Sequence, residues 1–361
     1  MKLLVQPSDG VAPLISAIKR AQKTIDILIF RFDIKEIENA LKAASDRGIT
    51  VRALIAQTNR GGEAKLRSLE MRFLEAGITV ARTASDLVRY HGKMMIVDRK
   101  TLFLLSFNFV HLDMDHSRGF GIVATNAKLV SEAIKLFEAD CNRTEYVAGS
   151  DEFLVSPLNA REQLSAFIKK ARKQLFIYDP KIADRRIVRL IEERANSGVE
   201  VKIIGSMAPE KRNLAVSRLT TMRLHTRTII VDGKQAFVGS QSLRQLELES
   251  RREIGIIVHD AKVVKTLLST FEKDWAATGF EESAVTNTQP NTSADPALEK
   301  ANRALVRQMA PLTSNVKKAI KQAVSKAGTV EAADPAEVKA TLKDAVKTAV
   351  KEAVQELVTE N

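Results

Sequence analysis

Two histidines, each followed two residues later by a basic side chain, carry the chemistry this chain can do. One stands in YHGKMMIVD, beginning at Tyr90, and the other in HTRTIIVD, beginning at His225. Residues two apart on a strand share a face, so His91 points with Lys93 and His225 with Arg227. Asp98 and Asp232 end these strands with the opposite parity, where each can hold the turn that follows. If Arg99 and Lys100 form a two-residue loop, Lys93 faces Ser106 and His91 faces Asn108 across a hairpin. In the second stretch Gly233 suits a tight turn. There the same rule sets Arg227 opposite Ser240 and His225 opposite Ser242, with partners within ~5 Å. The expected result is a His–basic–Ser–(Asn/Ser) cluster, formed twice. Such donors grip an anion, and an imidazole among them can act as nucleophile or proton carrier.

The elements that must hold these residues are themselves duplicated. AKLVSEAIKLFEADC, from Ala127, matches AKVVKTLLSTFEKDW, from Ala261, and so pairs Phe137 with Phe271 and Asp140 with Asp274. The same offset lays His91 on His225, Asp98 on Asp232 and Ser106 on Ser240. Upstream, AIKRAQKTIDI matches FIKKARKQLFI, and SDRGITVRALI matches ANSGVEVKIIG. The chain therefore reads as two copies of one unit, 1–148 and 152–283. The second copy is shortened between Gly205 and His225, where the first carries LEMRFLEAGITVART, read as a helix and an extra strand. Each copy runs helix, apolar strand, helix ending at a glycine C-cap, strand, hairpin, strand and closing helix. Alternation of this kind predicts an α/β layered fold.

Bulk properties narrow the class. The chain has 361 residues, 45% of them hydrophobic, and a formal net charge of +12. No run reaches the ~18 apolar residues of a membrane span, so no transmembrane segment is expected. The N-terminal apolar patch is too short for a secretory signal, which points to the cytoplasm. A single cysteine excludes an intrachain disulfide and a multi-cysteine zinc site. Cys141 aligns with Trp275 and reads as core. The basic excess favours anionic partners. Residues 284–297 read as a polar linker and 298–361 as a helical tail, with Asp334, Pro335 and Glu337 arranged as a helix start.

The pattern His-x-Lys, four residues, Asp, six residues, Gly-Ser-x-Asn resembles the signature of the phospholipase D superfamily. Here it is written HGKMMIVDRKTLFLLSFN and HTRTIIVDGKQAFVGSQS. The resemblance covers both copies and excludes the tail. It implies two α/β units related by a pseudo-twofold axis, sharing one phosphodiester site, so that no dimer is needed to complete it. It also implies a covalent phosphohistidine, with His91 as nucleophile and His225 as acid/base, and neither metal nor cofactor. Lys93, Arg227, Ser106, Asn108, Ser240 and Ser242 would bind the phosphoryl oxygens. The family's imidazole-orienting carboxylate falls on Glu253, and its equivalent in the first copy is Gly119. Asp113 or Asp115 is the candidate substitute. Other departures are Leu105 for Gly, Arg227 for Lys and Ser242 for Asn. His111 and His116 lie in HLDMDH, read as a loop at the site rim rather than a metal site. Arg251 and Arg252 meet phosphates or are solvated, and His259 has no companions.

Three functions fit these residues. The first is a phosphodiesterase or phosphatidyl transferase acting on phospholipids, with peripheral membrane contact. The second is a metal-independent nuclease of the same superfamily. The third is a decayed site that only binds phosphate.

Overall fold

The computed structural model describes residues 1–59, 62–209 and 213–280. The expected linker and helical tail lie outside the described residues. The first repeat contributes β1 (Lys2–Gln6), α1 (Ala12–Arg20), β2 (Thr24–Ile29), α2 (Lys35–Asp46), β3 (Thr50–Ile55), α3 (Glu63–Glu75) and β4 (Thr79–Arg82). It continues with β5 (Arg89–Tyr90), β6 (Met94–Val97), β7 (Thr101–Leu105), α4 (His111–Asp115), β8 (Ser117–Ala124) and α5 (Ala127–Asn142). The second contributes β9 (Phe153–Val155), α6 (Ala160–Lys169), β10 (Gln174–Ile182), α7 (Arg185–Asn196), β11 (Glu200–Met207), β12 (Ala215–Ser217) and β13 (Arg223–Leu224). It closes with β14 (Arg227–Val231), β15 (Gln235–Gly239), α8 (Gln245–Glu249), β16 (Arg251–Arg252), β17 (Ile254–Val258) and α9 (Ala261–Ala276).

Each repeat builds one mixed sheet. The order β1-β8-β7-β6-β2-β3-β4 in the first is matched by β9-β17-β15-β14-β10-β11-β12 in the second. Strand alternation sorts the side chains. Met94 and Ile96 face a core between the two sheets, which also receives Phe137 of α5 and Phe271 of α9. Met95 and Val97 face outward, under Ile18 of α1, Leu41 of α2 and Phe73 of α3. In the second repeat α6 and α7 cover the outer face with Leu164, Ile168, Ile187 and Ile191. The shared inner core makes the two repeats one compact unit. The α/β duplication expected from the sequence is therefore present. Gly48 and Gly198 follow α2 and α7 at φ +80° and +83°, the left-handed conformation that ends a helix.

Two local expectations are corrected. The second repeat keeps the extra strand: β12 pairs with β11 as β4 pairs with β3. What it lacks, among the described residues, is a counterpart of α3. The hairpins are also wider than expected. Val97 pairs with Thr101 and Val231 with Gln235, so each loop has three residues, not two. Asp98 and Arg99, and likewise Asp232 and Gly233, take positive φ to close it. The register moves by one residue. Lys93 then bonds to Leu105 rather than facing Ser106, and Gly239 rather than Ser240 lies opposite Arg227.

Candidate active site

The motifs meet because each repeat reaches into the other. β5, just before His91, pairs in parallel with β16 of the second repeat. Its counterpart β13, just before His225, pairs with the start of β8 in the first. The backbone N–H of His91 donates to the Arg252 carbonyl at 2.7 Å, and that of His225 to the Arg118 carbonyl at 3.1 Å. Each histidine is thus held by an arginine's backbone from the opposite repeat. The arginine side chains repeat the exchange. Arg118 binds Asp274 on α9 through two bonds of 2.7 and 2.9 Å. Arg252 binds Asp140 on α5 at 3.2 Å. The sequence alignment matched Asp140 with Asp274 but could not show that their partners are exchanged. Arg252 and Arg251 are both buried, and Arg251 is anchored by Glu247 at 2.6 Å, so neither is a solvated charge.

The carboxylate expected to serve the second repeat serves the first. Glu253 accepts from Nδ1 of His91 at 2.8 Å, and no part of the Glu253 side chain is exposed. Lys93, also fully buried, places Nζ 2.9 Å from Nε2 of His91 and donates to the His91 carbonyl at 2.6 Å. Phe30 closes one side, its ring edge-on at 4.4 Å from the imidazole. Burial, then the charges of Lys93, Arg227, Arg251 and Arg89, push His91 well below the ordinary imidazole range. Burial likewise raises Glu253 and lowers Lys93, although the pair attract each other. His91 is therefore neutral at neutral pH; Glu253 faces its Nδ1 at 2.8 Å, and Lys93 Nζ lies 3.0 Å from Nδ1 and 2.9 Å from Nε2.

In the second motif, Arg227 is partly exposed. It donates through Nε to Ser242 Oγ at 3.1 Å and through Nη1 to the His225 carbonyl. Burial and Arg227 push His225 well below its ordinary value, and Asp113 opposes them. Where Glu253 has its counterpart, Gly119 leaves no carboxylate. A Cβ there would come within 2.9 Å of the Phe107 ring, which occupies the space. Asp113, on α4, lies instead with Oδ2 3.5 Å from Nε2 of His225.

The remaining motif residues have structural partners. Ser106 Oγ accepts the Phe120 N–H at 2.9 Å, and Ser240 Oγ accepts the Ile254 N–H at 3.1 Å; each pins its strand end to the next strand. Asn108 gives both its backbone N–H and Nδ2 to Asp113, at 2.8 and 2.6 Å. Asp98 does not hold its own turn. It caps the start of β2, accepting from the N–H groups of Gln22, Lys23 and Thr24, and Asp232 does the same for Arg172, Lys173 and Gln174. Asp115 turns outward to bond His111 at 2.8 Å, on the surface. His259 meets Glu152 at 3.3 Å, also on the surface. Cys141 is half-buried against the inner core, and burial pushes its thiol up to about 12, which fits packing rather than reactivity. Sequence reasoning missed Asp179. It is buried, accepts from Leu243 N at 2.7 Å and supports the Ser242 segment. Only its place after an apolar strand could have marked it.

A cleft of about 310 Å³ begins at Arg31 and Phe32, next along the chain from Phe30. Its lining also includes Asp33, Asn59, Lys65, Leu66, Val110 and Leu112, and none of the motif residues. Its walls carry both signs of charge beside apolar side chains. α3, which has no counterpart among the described residues of the second repeat, supplies Lys65 and Leu66.

A duplicated α/β unit with paired His-x-basic motifs on crossed strands defines a phospholipase D superfamily protein. The family model described as "Cardiolipin synthase, PLD-like domain" matches residues 14–141 and 164–275. The chain belongs to that family. It is 21% identical over 334 aligned residues to a probable cardiolipin synthase of Bacillus subtilis (strain 168), covering 76% of this chain and 65% of that one. Two solved structures share the fold. A polyphosphate kinase from Porphyromonas gingivalis superposes with a TM-score of 0.66 at 17% identity, over 85% of this chain and 53% of the other. A phosphatidylserine synthase from Haemophilus influenzae Rd KW20 gives 0.59 at 14% identity, over 87% and 93%. The chain thus spans about two thirds of the curated relative and about half of the kinase. Among the described residues, no helix is long and apolar enough to cross a membrane.

Proposed function

We propose that this chain is a phosphatidyl transferase or phosphodiesterase acting on phospholipids, and that it works through a phosphohistidine on His91. The observation that carries the reading is the bond between Nδ1 of His91 and Glu253. It supports a tautomer with the proton on Nδ1 and Nε2 as the nucleophile. The Nε2 lone pair forms the N–P bond while the bond from phosphorus to the leaving oxygen breaks. His225 gives that oxygen its proton. His225 then takes a proton from water or an acceptor alcohol, whose oxygen attacks phosphorus and releases His91. Lys93 and Arg227 supply the positive charge that stabilises the phosphoryl oxygens in both steps. In the empty site the same cations disfavour a proton on His225. A bound phosphodiester adds negative charge and restores it.

Family membership supports the reaction class. The cleft at Arg31 and Phe32 supports an amphiphilic substrate, because the charged Arg31, Asp33 and Lys65 adjoin Leu66, Val110 and Leu112. That is the pattern of a lipid glycerophosphate more than of a nucleic-acid backbone. Vesicles of phosphatidylglycerol and of phosphatidylcholine test it, with single- and double-stranded DNA and RNA as comparators and no added divalent metal. Released head group or transfer product is expected from lipid. Cleavage confined to nucleic acid would replace this reading with a nuclease, and no turnover of any substrate would leave a phosphate-binding protein.

A further inference from the structure

Asp113 has no counterpart in the signature, yet it is buried beside His225 with several partners of its own. It is 2% exposed. Its Oδ2 accepts both Asn108 donors and lies 3.5 Å from Nε2 of His225. Its Oδ1 accepts from Arg223 at 2.7 Å. α4, which carries it, directly follows the first motif, so the contact with His225 again crosses from one repeat to the other. The equivalent residue in the second repeat, Glu247, turns to Arg251 and Arg244 instead. Gly119 has lost the carboxylate that Glu253 keeps, and Phe107 fills its place.

We propose that Asp113 is the positioning residue of the acid/base: it supplies the negative charge that favours the His225 imidazolium once substrate is bound, and it holds Asn108 in register. This rests on the reading of His225 as proton donor. Of the largest influences on His225, burial, Arg227, Lys93 and Arg223 disfavour the imidazolium, and Asp113 acts in its favour. Asp113 itself stays ionised. Burial pushes its carboxyl up, but His225, the Asn108 donors and Arg223 outweigh that and hold it low. Without it, His225 would reach the transition state unprotonated, and the electron pair of the breaking P–O bond would collapse onto an oxygen with no proton to receive.

The chain has only five histidines, so ¹⁵N-histidine labelling of the full-length protein resolves the His225 titration. An opposite charge at this range moves a titration by about one to three pH units. Asp113→Asn should therefore lower the His225 midpoint by about one unit or more, and Asp113→Glu should recover part of it. An unchanged midpoint in Asp113→Asn overturns the proposal. Arg223→Ala guards against a misfolded Asn variant, since that side chain is 42% exposed. It should raise the midpoint, and a fall or no change counts against the proposal. Kinetics give a second reading. Asp113→Asn should slow an alkyl phosphodiester at least tenfold more than a 4-nitrophenyl one, whose leaving group needs no proton. Equal slowing of both would mean a structural role and refute the proposal. The titration is read whether or not the protein turns over lipid, so it can fail or succeed separately from the proposed reaction.

Discussion

Glu253→Gln is the most informative single substitution in this site. The glutamine keeps the size of the side chain and can still accept from Nδ1 of His91, but it removes the charge. In the ground state His91 is neutral and the loss is small. As Nε2 bonds to phosphorus, the ring becomes positive, and Glu253 lies 2.8 Å from its other nitrogen. At an effective dielectric of about 20, unit charges at that separation attract by roughly 6 kcal/mol. The cost of keeping the carboxylate from water and the neutral bond that glutamine retains offset part of this. About 2–4 kcal/mol of transition-state stabilisation remains, or roughly 30- to 1,000-fold in rate. The assay is single-turnover release of 4-nitrophenolate from an activated phosphodiester, where loss must appear in the first chemical step and not in KM. Thermal unfolding checks that the fold survives. A properly folded Glu253→Gln variant within threefold of wild type would refute the claim that Glu253 steadies the charged ring.

Three further outcomes follow from the crossed contacts. Asp274→Asn should destabilise by about 3–5 kcal/mol in urea unfolding, because it leaves Arg118 buried beside a neutral partner and weakens the bond from Tyr178. Asp140→Asn should behave in the opposite way. Burial raises the Asp140 carboxyl to about 6, so the fold favours its protonated form, and stability from this group is full below the unfolded value and falls as pH rises through 6. The stability of wild type relative to Asp140→Asn should then drop by roughly 2.5 kcal/mol between pH 4 and pH 8; a flat difference would show that burial does not disfavour the Asp140 carboxylate. Restoring the missing carboxylate with Gly119→Glu alone should lower the melting temperature, since the new Cβ meets the Phe107 ring at 2.9 Å and its Cβ at 3.2 Å; an unchanged melting temperature would show that Phe107 yields.

Much of this was legible in the sequence, and the reasons for the misses are specific. The offset that laid His91 on His225 found the duplication. The hairpin register failed by one residue because Asp98 adopts positive φ, which a non-glycine residue rarely signals in advance. The aspartates were placed at the right positions but with the wrong partners. Their carboxylates reach a strand start about 75 residues earlier for Asp98 and 59 for Asp232, and no local pattern encodes that. The exchange of Glu253, Arg118, Arg252 and Asp113 between repeats was invisible for a different reason. A repeat alignment pairs each residue with its twin, whereas a twofold arrangement brings it to its twin's neighbours.

The central claim is that His91 carries the phosphoryl group. An alkaline quench during turnover, followed by peptide mass spectrometry, measures it directly. The account predicts a phosphorylated imidazole on the peptide containing His91, absent from His91→Ala and accumulating when His225 is replaced and the substrate has a 4-nitrophenyl leaving group. Label on His225 instead, or turnover with unmodified histidines, would contradict it.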